Sequence, residues 1–132
     1  MNSTKIQSYG FSLIFIFLLA FASTQTAYAD CEGTKKLANE VVDKLVAGDF
    51  EGVRKNFNEN MKQNLSAAQI KNVWIEMISK IGAYKSREKS LYQEYPDNTA
   101  VFTRLQMEKG KVIVEVRFGA DGKIGGLWLR PA

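Results

Sequence analysis

The chain has 132 residues, with 18 Lys and Arg against 14 Asp and Glu, a single Cys and no His. Without His there is no Ser-His-Asp triad, Cys-His pair, imidazole acid-base chemistry or His metal site, and one Cys makes neither an intrachain disulfide nor a thiolate zinc site. The charges are scattered, with no basic run, a balance that suits a soluble surface and argues against nucleic acid as a partner.

The first 29 residues have the order of a cleavable secretory signal. Lys5 precedes a run from Phe11 to Ala22 in which Ser12 is the one polar side chain, and Ala27 and Ala29 form an A-x-A cleavage site before the polar Asp30, Glu32, Lys35 and Lys36. The run is shorter than the roughly 18 to 20 apolar residues of a spanning helix, so no transmembrane anchor is expected. Removing residues 1–29 takes away one basic residue, Lys5, and leaves a single domain, 30–132, with 17 basic and 14 acidic side chains. The expected location is secreted or periplasmic. Cys31 lies close to the new N-terminus, but Tyr28 and Asp30 stand where a lipoprotein site carries Leu and a small residue, so acylation is not expected.

In the domain, helices come first. Leu37, Val41 and Leu45, flanked by Ala38, Val42 and Val46, recur at three- and four-residue spacing, and Gly48 ends that helix. Asp49 caps a short second helix with Phe50, Val53 and Phe57. Ser66 and Gln69 form a capping box for a third, whose apolar side is Ile70, Val73, Trp74, Met77, Ile78 and Ile81; Gly82 stops it.

From Tyr84 the period shortens toward two. Four strands are expected, over about 84–95, 99–108, 111–118 and 123–130, joined by Pro96-Asp97-Asn98, Lys109-Gly110 and Asp121-Gly122 into an antiparallel meander. A two-residue turn at Lys109-Gly110 sets Met107 opposite Val112, Leu105 opposite Val114, Thr103 opposite Val116 and Val101 opposite Phe118 on the core face. On the other face it pairs Arg104 with Glu115 as ions and Phe102 with Arg117 as a cation-π contact. A turn at Asp121-Gly122 directs Leu127 and Leu129 inward and leaves Trp128 outside beside Glu115; a slip of one residue would make Trp128 core. In the first strand, loop length decides whether Tyr92 or Leu91 points inward.

The stretch Leu45-Val46-Ala47-Gly48-Asp49-Phe50-Glu51, the capped helix with Trp74, Ile81-Gly82-Ala83-Tyr84 and Asp121-Gly122-Lys123-Ile124-Gly125-Gly126-Leu127 together resemble the bacterial domain of unknown function 3887. That family is similar in fold to nuclear transport factor 2-like (cystatin-like) proteins. The resemblance implies an α+β fold with three N-terminal helices on a curved four-stranded antiparallel sheet, in a bacterial, exported setting. It carries no catalytic motif, and so no catalytic residues, cofactor or metal.

Two candidate sites follow. Phe102, Ile113, Arg117 and Trp128 fall together on the outer face of the sheet, a cluster that suits contact with a partner, either a homodimer mate or another exported protein. Trp74, Tyr84 and Tyr92 are candidates for a pocket between the third helix and the sheet, where a small-molecule ligand could sit and where Glu76 would be the nearby carboxylate. Glu76 lies off the apolar stripe of its helix, and Trp74 has the spacing of a core residue, so the leading expectation is a non-catalytic binding or interaction domain. A small-ligand carrier or enzyme is the alternative.

Overall fold

The structure is a computed structural model that describes residues 31–132; the expected leader over 1–29 and its cleavage site lie outside them. The chain divides into two units, Met1–Gly33 and Thr34–Ala132, and the second carries the fold. No described helix is long and apolar enough to cross a membrane.

The helical half has more elements than the sequence pattern suggests. Helix α1 runs through residues 31–47 and ends at Gly48, whose φ of 78° is left-handed. Helix α2, Phe50–Val53, is capped by Asp49, which accepts from Gly52 N, and continues into a 3-10 turn, Arg54–Asn56. A further helix, α3, Glu59–Asn64, was not expected; Asn58 caps it by accepting from Met61 N. Arg54 holds the end of α3, donating from Nε to Leu65 O at 3.0 Å and from Nη2 to Lys62 O at 2.8 Å. Helix α4, Ala67–Ile81, has the expected Ser66/Gln69 capping box and stops at Gly82. Gly82 has φ 87° and ψ −177°, a region that excludes side chains, and a Cβ there would lie 2.6 Å from Glu108 Cβ.

The sheet is antiparallel and has five strands, because the expected first strand is two. Strands β1, Tyr84–Arg87, and β2, Leu91–Glu94, both pair with β3, Thr99–Met107, which pairs with β4, Gly110–Phe118, and that with β5, Ile124–Pro131. Arg87 faces Leu105 and Leu91 faces Phe102, so four steps on one side oppose three on the other. The break has its own polar anchor. Ser90 turns inward, hydrogen-bonded to Asn39 Oδ1 of α1 at 2.8 Å and to Thr103 Oγ1 at 2.7 Å. The extra residue also settles the open question at Tyr92, which packs inward opposite Val101 while Leu91 points out.

The β3–β4 register differs from the expected one by two residues. Leu105 faces Val112, Thr103 faces Val114, Val101 faces Val116 and Thr99 faces Phe118, with Glu108-Lys109 as the turn. The cause is tertiary. Glu108 N donates to Ala83 O and Lys109 N to Ile81 O, pinning the hairpin tip to the end of α4. Gly110 is used for close approach, since a Cβ there would meet Ile81 Cγ2 at 3.1 Å. A two-residue slip preserves the faces, so the inward set is the expected one. The β4–β5 register is as expected, with Leu127 opposite Val116, Leu129 opposite Val114 and Trp128 opposite Glu115.

One core results. Val41, Val42 and Leu45 of α1, Val53 and Phe57, and Ile70 and Trp74 of α4 pack with Val101, Leu105, Val112, Val114, Val116 and Ile124 of the sheet. Val73, expected on the inner side of α4, is 43% exposed.

Candidate functional site

Alternation along β3, β4 and β5 directs one set of side chains into the core and leaves the other on the outer face of the sheet. There, Leu91, Phe102, Glu115 and Trp128 form a single cross-strand row. The adjacent rows are Arg104, Ile113 and Arg130 on one side, and Gln93, Ala100, Arg117 and Gly126 on the other. Phe102, Ile113, Arg117 and Trp128 therefore do share one face. Leu91 is 68% exposed and Trp128 46%, while Phe102 and Ile113 are half-buried.

The pairings within that face are different from those expected from sequence. Glu115 does not meet Arg104. Its carboxylate, 4% exposed, accepts from Arg117 Nε at 2.7 Å and from Arg130 Nη2. Arg104 instead reaches Glu88 at 3.4 Å, and Lys111 approaches the same carboxylate at 3.7 Å. Both changes follow from the two-residue register difference, which moves Arg104 opposite Ile113 and Phe102 opposite Glu115. Nor does Arg117 stack on Phe102. Its guanidinium lies 5.0 Å from the Tyr95 ring centroid and 5.7 Å from that of Trp128. The hydrogen bond to Glu115 raises the Arg117 pKa above its ordinary value, against a smaller opposing effect of desolvation.

Trp128 lies flat along its strand. A Cβ at Gly126, two residues earlier on the same face, would collide with the indole, so glycine there is what allows the ring to cover the strand and reach toward Arg117. Beside this ledge is a recess of about 430 Å³ lined by Glu88, Lys89, Leu91, Phe102, Arg104 and Ile113. Sequence reasoning missed Lys89, Leu91 and Arg130 as parts of this face. Only the strand break, with its extra residue, turns Leu91 outward.

The second candidate site does not assemble. Trp74 is 4% exposed within the core, Tyr84 faces Met107 and Tyr92 faces Val101. The two tyrosines are thus six residues apart along β3, about 20 Å at the rise of a strand. Tyr92 Oη donates to Glu94 Oε1 at 3.0 Å, and Glu76 is an exposed partner of Lys80 at 2.9 Å. A groove between helix and sheet does exist elsewhere: Val73, Glu76, Met77, Lys80 and Ile81 of α4 face Leu129 and Pro131 of β5 across about 430 Å³.

Among solved structures, the chain is similar to the NMR structure of a protein from Ruminococcus gnavus ATCC 29149, with a TM-score of 0.56 and 18% identity over 74% of this chain and 88% of that one. That likeness is one of fold. No curated protein matches the sequence. A family model does, over residues 38–127, which takes in α1 from Ala38 through the first half of β5. The chain belongs to the family described as Protein of unknown function (DUF3887).

Proposed function

We propose that the chain is an exported, non-catalytic binding domain of the nuclear transport factor 2-like kind, and that the outer face of its sheet is the contact surface. The observation that carries this reading is the row Leu91, Phe102, Glu115, Trp128, in which Leu91 is 68% and Trp128 46% exposed although the other face of the sheet is buried in the core. A partner that covers the row recovers the apolar burial the monomer lacks, and Trp, here at the β5 end of the row, is among the residue types that dominate binding.

A photo-reactive phenylalanine analogue at Gln93, on the outer face, should cross-link a partner in the exporting cell, whereas the same group at Lys71 on α4 should not. Trp128→Glu should weaken that association at least tenfold and leave the fold intact, because position 128 is 46% exposed on an edge strand, where the new carboxylate stays hydrated. Equal cross-linking from both positions, or none from the face, would overturn the reading. The export part has its own check. Intact mass of the released protein should give a chain beginning at Asp30 with no lipid increment on Cys31, and a mass retaining residues 1–29 contradicts it.

The α4–β5 groove favours a second reading, a small-ligand carrier. Its walls are apolar, with Glu76 and Lys80 at the rim. Under that reading Met77→Trp, which fills the groove, abolishes ligand binding, while Trp128→Glu has no effect.

A further inference from the structure

We infer that the partner of the outer face is a protein segment that presents a large apolar side chain flanked by Asp or Glu, rather than a second copy of this chain or a lipid surface. The inference rests on the outer face being the contact surface and goes on to what that face selects.

Charge comes first. Each carboxylate on the face is shared between two cations: Glu88 by Arg104 and Lys111, Glu115 by Arg117 and Arg130. Lys89, in the lining of the recess, has no ion-pair partner among the described residues. With Asp97, which also acts on Arg117, five cations stand against three carboxylates around a surface whose centre is apolar. A two-fold contact between copies would bring this excess against itself, and like charges at an interface select against a partner. A segment bearing carboxylates meets the opposite sign on both sides of the apolar row.

Shape is the second argument. Binding at a lipid surface needs apolar groups that project into the headgroup region. Here Trp128 lies flat over Gly126, Phe102 and Ile113 are half-buried, and Leu91 is the one apolar side chain of the recess lining that stands well exposed. A recess of about 430 Å³ has room for a large apolar side chain, and Lys89 and Arg104 in its lining are placed to take the neighbouring acids. The recess receives an apolar anchor from a partner.

The test uses three fluorescein-labelled dodecapeptides: one with a central Leu-Phe pair flanked by Glu and Asp, one with Lys in place of the acids, and one with Ala in place of Leu-Phe. Anisotropy titrations of the released full-length protein should show binding of the first alone, weakening at least tenfold from low to high salt. Leu91→Asp and the double substitution Lys89→Glu with Arg104→Glu should each lose at least tenfold, with circular dichroism unchanged. Three results would overturn the inference: equal binding of the Lys peptide, binding of phosphatidylglycerol vesicles but of no peptide, and no binding at all. If the Lys peptide binds and Trp128→Glu releases it, the face is the contact surface and only the acidic assignment fails. If the acidic peptide binds every face variant as well as the wild type, the reading of the face itself fails.

Discussion

Trp74→Glu is expected to leave the domain unfolded. Trp74 is 4% exposed on α4, one turn from Ile70, in the core that joins the helices to the sheet. Truncating a buried aromatic costs about 3 to 5 kcal/mol, and a carboxylate in the same place, with no cation to meet it, adds a desolvation penalty of several more. A domain of this size has about 5 to 15 kcal/mol in total. Far-UV circular dichroism should lose the helical signal, and denaturant titration should show no cooperative transition. Trp74→Phe keeps an apolar ring and should keep the transition at a lower midpoint. A native-like melt for Trp74→Glu would mean that this side chain is not in the core.

Trp74 was legible in the sequence because its evidence is local: a capping box, a 3.6-residue apolar stripe and a terminal glycine all lie within 17 residues. The β4–β5 register was equally legible, since Asp121-Gly122 supplies the turn and Gly122 takes the positive φ that such a turn uses. What was missed depends on contacts distant in sequence. The hairpin tip at Glu108-Lys109 is fixed by Ala83 and Ile81, and no property of the turn residues announces that. The break between β1 and β2 is held by Ser90 bonding to Asn39, 51 residues away. Helix α3 is short, and its cap, Asn58, precedes no apolar stripe long enough to register as a period. The outer face was recognisable as a set because both possible even-numbered registers keep Phe102, Ile113, Arg117 and Trp128 on one side. Which charge meets which was not, because the two-residue difference exchanges every partner along β3 and β4.

Glu115→Ala is expected to lower stability by about 2 to 3 kcal/mol while leaving the outer face able to bind. From sequence, this carboxylate belonged to an exposed pair worth about 0 to 1 kcal/mol. In the structure it is 4% exposed and accepts from two guanidinium groups, and hydrogen bonds to charged groups contribute about 1.5 to 3 kcal/mol. The cost stays below the roughly 3 to 5 kcal/mol of a broken buried pair because the two arginines, 35% and 51% exposed, can rehydrate once it is gone. For a domain of about 100 residues that is a fall in Tm of about 8 °C or more, and Glu115→Gln, which retains one acceptor oxygen, should fall by about half as much. Binding should move the other way from stability. Removing Glu115 frees Arg117 and Arg130 and deepens the positive excess around Phe102 and Ile113, so affinity for the acidic apolar peptide should hold or rise as Tm drops. Trp128→Glu should do the reverse, keeping Tm and losing affinity. Opposite signs in these two variants separate a carboxylate that holds the sheet together from a ring that meets a partner, and a parallel fall in both quantities for Glu115→Ala would assign the carboxylate to the partner instead.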